Sequence, residues 1–124
     1  MFELNKNYFY AVVGATQNKE KYGYKVLMDL FKKGFNVVAI NPKYKKIENI
    51  SCFPSLSASK RKIDVAIFVV PPSIGAEILK ECVNLKITKV WFQPGASSKD
   101  LIDFCKQHSI DYFVDACIIQ TTNK

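Results

Sequence analysis

The residues best placed to do chemistry are Gly14, Ala15 and Thr16, which follow the apolar run YFYAVV at residues 8–13 and precede Asn18 and a helical pattern that begins near Tyr22. A strand, a turn of small residues and a helix start make an anion site. The free amides of the first helical turn point into the loop, and the helix dipole favours negative charge there. Gly14 has no Cβ, so a phosphate can approach the backbone, and Asn18 is the expected helix N-cap. The functional reading is a nucleotide cradle. The alternative is an ordinary tight strand-to-helix turn, because the full G-x-G-x-x-G fingerprint is absent: Thr16 stands where a second glycine would be.

Other reactive side chains do not group. His108 is the only histidine; it falls near the end of the last helical pattern and has no evident partner. Asp64, Asp111 and Asp115 fall at strand starts or in the tail, and the first two read as solvated turn residues. No Ser-His-Asp arrangement or carboxylate pair presents itself. Cys52, Cys82, Cys105 and Cys117 are widely spaced, without a C-x-x-C pair, which argues against structural zinc and for free thiols filling core space.

The elements that must position the turn are legible from apolar spacing. Residues 8–14 form the first strand. In residues 22–33, Val26, Leu27, Leu30 and Phe31 mark one helical face, and Gly34 suits the C′ position. Residues 35–40 make a second strand, closed by Asn41-Pro42, so the first two strands and their helix form a right-handed βαβ unit. An irregular stretch follows, with a short edge strand at Ile50–Phe53 and a turn at residues 54–57. Residues 63–70 (IDVAIFVV) are the strongest strand, stopped by Pro71-Pro72, with Ser73 able to cap a helix carrying Ile74, Ile78, Leu79, Cys82 and Val83. A strand at residues 88–92 ends in Gln93-Pro94-Gly95. Ser97 and Asp100 then read as a capping box for a helix carrying Leu101, Ile102 and Cys105. Residues 110–114 form a final strand, and the rest is a tail that can fold back.

Continuously apolar strands alternating with helices predict an α/β fold, a central parallel sheet of about five strands covered on both faces. The first strand is central, with the second on one side and residues 63–70 on the other, and this creates a switch point at its carboxyl end. Gly14 to Thr16, Asn41-Pro42-Lys43, Pro71-Pro72 and the segment from Gln93 to Ala96 then converge on one crevice.

At 124 residues and 48% hydrophobic, the chain is expected to be one domain, residues 1–124, with a real core. No run approaches the ~18 apolar residues of a membrane span. The start, with Glu3, Asn5, Lys6 and Asn7, does not read as a signal peptide, so a cytoplasmic protein is expected. The net charge of +7 invites a nucleic-acid reading, but the lysines are dispersed and Arg61 is the only arginine. A solvated basic surface, or one serving a phosphate-rich small ligand, accounts for them.

An NAD site would carry an acid at the end of the second strand to bond the ribose. Here Asn41, Pro42 and Lys43 stand instead, and a lysine suits a phosphorylated ribose, as in NADP or coenzyme A. Gly14-Ala15-Thr16, Lys21-Tyr22-Gly23, Asn41-Pro42-Lys43, Pro71-Pro72 and Gln93-Pro94-Gly95, in that order and spacing, resemble the small stand-alone CoA-binding domain proteins. These are relatives of the CoA-binding domain of succinyl-CoA synthetase α subunits and acyl-CoA synthetases, and the resemblance covers nearly the whole chain. It implies a Rossmann-like three-layer sandwich holding coenzyme A across the switch point. By that resemblance Gly14, Ala15, Thr16 and the helix start take the pyrophosphate, and Asn41, Pro42 and Lys43 sit by the adenosine. Val70, Pro71 and Pro72 wall the adenine or ribose, and Gln93, Gly95 and Ala96 lie toward the pantetheine arm. Two departures stand out. The family often shows Asp-Arg-Cys near its end, where this chain has Asp115-Ala116-Cys117. The synthetases also use a phosphorylated histidine from a later domain, which this sequence does not contain.

The expected function is therefore non-catalytic binding of CoA or an acyl-CoA, with Cys117 either a buried structural thiol or a neighbour of the CoA thiol. Two alternatives are an NADP- or acyl-CoA-using enzyme subunit completed by a partner chain, and a basic nucleic-acid-binding domain. A homodimer is left open.

Overall fold

The structure, a computed structural model, describes residues 2–122. Five parallel strands form the centre of its sheet: β1 (Phe9–Val13), β2 (Asn36–Ile40), β4 (Ile50–Phe53), β5 (Val65–Phe68) and β6 (Lys89–Phe92). β3 (Lys46–Ile47) pairs antiparallel with β4, and β7 (Asp111–Phe113) pairs parallel with β6. The order is β3-β4-β2-β1-β5-β6-β7, so β1 is central and the order reverses beside it, as expected. The sheet has seven strands rather than about five. Six of these correspond to runs read from the sequence, the short Ile50–Phe53 strand among them; the seventh, β3, is only two residues long and carries no apolar run.

Alternation within each strand explains why the runs are continuously apolar. Tyr10 and Val12 face one way, packing with Val26, Leu27 and Leu30 of α1 (Tyr22–Lys32) and Ile118 of α4 (Ile118–Thr121). Ala11 and Val13 face the other way, toward Leu79 and Cys82 of α2 (Pro72–Asn84) and Leu101 and Cys105 of α3 (Lys99–Gln107). Both faces are dry, giving three layers. Cys52, Cys82 and Cys105 are buried in these cores, and Cys117 is half-buried.

Several helix starts lie off their sequence-expected caps. Asn18 does not cap α1: its Oδ1 accepts from the Glu20 amide at 3.1 Å in a preceding turn, and the N-cap is Lys21. α2 begins at Pro72, with Pro71 as N-cap, rather than at Ser73; proline at N1 has no amide to leave unpaired. Ser98, not Ser97, caps α3, its Oγ accepting from the Leu101 amide at 3.2 Å. Two residues assigned to buried helix faces are exposed, Phe31 and Ile74, the latter at 53%. In α2 the sheet-facing position beside Ile74 is Gly75, whose missing side chain leaves room for Phe68. Gly34 does end α1, with φ +90°.

The tail folds back as α4 and is tied down from three sides. The Trp91 Nε1 donates to the Ala116 carbonyl (3.0 Å), the Ile118 amide donates to Gln93 Oε1 (2.8 Å), and Lys33 Nζ donates to the Ile119 carbonyl (2.8 Å) and Thr122 Oγ1 (2.9 Å). Lys33 also pairs with Asp29 at 2.7 Å. Its ammonium thus meets the carbonyl end of a short helix, where the dipole favours a cation.

Candidate functional site

At the carboxyl end of β1 the chain turns through Gly14 with φ +92°, a conformation other residues rarely adopt. A Cβ at Gly14 would run into the Val69 carbonyl and lie 2.6 Å from Val70 Cγ1, so the turn is pressed against the end of β5. The Gly14 amide donates to the Ile40 carbonyl at 3.0 Å, and the Val69 amide donates to Val13 at 2.8 Å. The turn is therefore fixed from both neighbouring strands. α1 begins close by: a Cβ on Gly23 would collide with the Gly14 carbonyl, so the helix start touches the turn backbone to backbone.

The opposite wall comes from the β2–β4 connection. Asn41 Nδ2 donates to the Ala15 carbonyl at 2.8 Å, and its Oδ1 accepts from the Lys43 amide at 2.9 Å. Its side chain thus ties the β2 end to the β1 turn and shapes the loop that carries Lys43. Thr16 Oγ1 lies 3.2 Å from the Tyr44 hydroxyl, Gln17 Nε2 donates to the Lys46 carbonyl at 3.0 Å, and the Tyr24 hydroxyl donates to Glu48 at 2.6 Å. Together these brace the β3–β4 hairpin against the turn and α1. The buried Cys52 thiol donates weakly to the Asn41 carbonyl, and burial pushes it above the usual thiol range, which keeps it inert at neutral pH.

Between these walls lies a cleft of about 540 Å³, lined by Gly14, Thr16, Asn18, Lys21, Tyr22, Gly23, Asn41, Lys43, Tyr44, Val69 and Val70. Two smaller hollows adjoin it. One, of about 290 Å³, shares Gly14, Asn41 and Val70 and adds Pro42, Pro54 and Ile74. The other, of about 140 Å³, shares Tyr22 and adds Gln93, Pro94 and Cys117.

The sequence-expected residues are distributed over these spaces. Gly14, Thr16, Lys21, Tyr22, Gly23, Asn41, Lys43 and Val70 meet in the main cleft, Pro42 lines the second hollow and Gln93 the third. Ala15 and Ala96 are buried, Pro71 and Pro72 start α2, and Gly95 sits in a turn at φ +88°; none of these five lines the three spaces. Sequence reasoning did not single out Asn18 as a wall of the cleft, nor Tyr44 and Val69. Tyr44 carried a signal, an aromatic two residues beyond Pro42 in an otherwise charged loop. Gln93 is 4% exposed with both amide atoms engaged, Oε1 by Ile118 and Nε2 donating to Cys117 Sγ at 3.3 Å. It clamps the tail. His108 ends α3, exposed and against Phe104, away from the cleft. Asp64 is not simply solvated: its Oδ2 accepts from the Phe9 amide at 2.8 Å and its own amide donates to the Phe9 carbonyl, fixing the start of β1. Among the described residues no group of three His, Cys, Asp or Glu could hold a metal ion, and no helix is long and apolar enough to cross a membrane.

A parallel sheet whose strand order reverses beside a glycine turn, with a basic cleft at that point, has the architecture of nucleotide-binding α/β proteins. The chain belongs to the CoA binding domain family, which it matches over residues 9–122. It is similar to an ADP-forming acetate-CoA ligase of Methanocaldococcus jannaschii, 38% identical over 58% of this chain and 10% of that protein. A second ADP-forming acetate-CoA ligase, of Archaeoglobus fulgidus, is 27% identical over 83% of this chain and 17% of its own length. The chain thus spans a small part of these curated relatives. A solved structure of a conserved hypothetical protein from Pyrococcus furiosus superposes with a TM-score of 0.89 at 40% identity, covering 93% of this chain and 99% of that one.

Proposed function

We propose that this protein binds coenzyme A or an acyl-CoA in the cleft at the carboxyl ends of β1, β2 and β5, without catalysing a reaction of its own. The observation that carries this reading is the convergence of the glycine turn, the α1 start, Lys21 and Lys43 on one 540 Å³ cleft. The first amides of α1 and the two ammonium groups suit phosphates, and the volume is in the range of small-molecule sites. Lys43, at the end of β2, suits the ribose phosphate that distinguishes CoA and NADP from NAD. The lining of the cleft, hydroxyls, amides and lysines, suits holding a phosphorylated ligand. We place such a binder in the cytoplasm, where free thiols such as those of this chain persist.

A second reading is a subunit of a CoA ligase completed by a partner chain, favoured by relatives such as the ADP-forming acetate-CoA ligase II subunit alpha of Pyrococcus furiosus, 30% identical over 58% of this chain. Copurification of a second chain with its own nucleotide site would support it.

Thermal unfolding with CoA, dephospho-CoA, NADP, NAD and ATP tests the main reading. A ligand at a hundred times its dissociation constant adds about 2.7 kcal/mol, several degrees for a domain of this size. A shift with CoA that shrinks with dephospho-CoA is expected. No shift with CoA, after checking that none copurified, would leave the fold standing and remove the function.

A further inference from the structure

The third hollow has a character unlike the cleft it adjoins. Its walls are the Tyr22 ring, Pro94, Gln93 and Cys117, with no charged side chain among them. Gln93 is held in place by the tail, since its Oε1 accepts from the Ile118 amide and its Nε2 donates to Cys117 Sγ. At about 140 Å³ it is close to a cavity that holds one benzene ring, about 150 Å³. Tyr22 is shared with the phosphate-suited cleft, so a ligand anchored there can place one end in the hollow.

We infer that the hollow formed by Tyr22, Gln93, Pro94 and Cys117 receives the acyl group of a short, uncharged acyl thioester, making the protein selective for such acyl-CoAs over free CoA and over acyl groups ending in a carboxylate. The inference rests on the CoA reading and adds the substrate class. A neutral chain of about four carbons fills the hollow and removes apolar surface from water. A terminal carboxylate would be desolvated beside walls that carry no cation to pair with it, at a cost its methylenes do not offset.

Calorimetric titration of the purified protein with CoA, acetyl-, butyryl-, octanoyl- and succinyl-CoA tests this. Each buried methylene is worth up to about fourfold in affinity. Butyryl-CoA should therefore bind at least fivefold tighter than acetyl-CoA, octanoyl-CoA should gain nothing more, and succinyl-CoA should bind more weakly than butyryl-CoA. Cys117→Phe, which fills the hollow, should abolish the butyryl preference, and Cys117→Ser should retain it. Equal affinities for CoA, acetyl- and butyryl-CoA, or succinyl-CoA matching butyryl-CoA, would overturn the inference while CoA binding itself stands. Absence of binding by every thioester and by CoA would overturn both. Should Cys117→Phe fail to fold, the wild-type chain-length series decides alone.

Discussion

Gly23 offers the sharpest test of how the site is built. It is the second residue of α1, and a helical Gly→Ala substitution ordinarily stabilises, by up to ~1 kcal/mol. Here the added methyl would collide with the Gly14 carbonyl oxygen and lie 3.1 Å from its carbon and 3.3 Å from Ala15 Cα. These are backbone atoms of a turn held from β2 and β5, so no side chain can swing aside; α1 or the turn must move as a body. Overpacking of this kind costs ~1–3 kcal/mol. After the propensity gain, Gly23→Ala should destabilise by about 1–2 kcal/mol. At roughly 2 cal/mol/K of unfolding entropy per residue, this lowers Tm by about 4–8 °C. Gly75 in α2 is the matched control. Its added methyl would meet only side chains, Phe68 Cδ2 at 3.3 Å and Leu101 Cδ1 at 3.5 Å, so Gly75→Ala should change stability by less than about 1 kcal/mol. Calorimetric melting of both variants is the assay, with CoA titration as a second readout, since a displaced helix start should also weaken phosphate binding. A Gly23→Ala protein as stable as the wild type would refute the close approach of helix and turn.

Three further outcomes are expected. Lys43→Ala should weaken CoA about tenfold, the worth of roughly 1.5 kcal/mol for one charge-assisted hydrogen bond, and leave dephospho-CoA nearly unaffected; equal losses for both in calorimetric titration would remove Lys43 from the ribose phosphate. Gln93→Leu leaves the buried Ile118 amide without its acceptor and should cost about 1–3 kcal/mol, read as a lower urea midpoint with faster proteolysis of the tail, and an unchanged midpoint contradicts the clamp. Burial raises the Cys82 thiol from 9.0 to about 12 and Cys105 to about 11, so both are held neutral in the fold. Their contribution is complete below pH ~9 and declines as pH rises through the folded values, by at most about 1.4 kcal/mol per pH unit for each thiol. The urea midpoint should thus hold to about pH 9 and fall above it, less steeply in Cys82→Ala, and a midpoint independent of pH and of Cys82 would count against it.

The central layers were legible because each strand is a continuous apolar run bounded by glycine or proline, and helix spacing lies between. Gly14, Gly34 and Pro71-Pro72 mark boundaries that stereochemistry enforces. Helix starts were less legible. Asn18 has the right side chain for a cap, but its turn consumes it three residues before the cap position, and Lys21 caps α1 with backbone alone. Ser97 and Ser98 are adjacent serines, and only the backbone path decides which faces the Leu101 amide. Ile74 matched the helical stripe, yet it stands at the rim of the second hollow, where strand ends leave it uncovered. β3 was invisible because two residues cannot show a period. In the site, the residue types were readable and Asn41 does line the cleft, but the bonds of its side chain to Ala15 and Lys43 were not foreseen. That distinction depends on a bond between segments 26 positions apart.

The clasp on α4 also orders the events of synthesis. Lys33 meets Ile119 across 86 positions, while β1, α1 and β2 lie together near the start. During translation the parallel core can therefore pair strand by strand before residues 116–122 leave the ribosome. Until they arrive, Lys33 lacks its carbonyl acceptor, Gln93 its amide donor, and the Trp91 face of the sheet is uncovered. Cys117, the last wall of the smallest hollow, comes with them. The nascent chain thus passes through a stage with its cleft framed and its apolar flank open, the surface on which aggregation competes with completion.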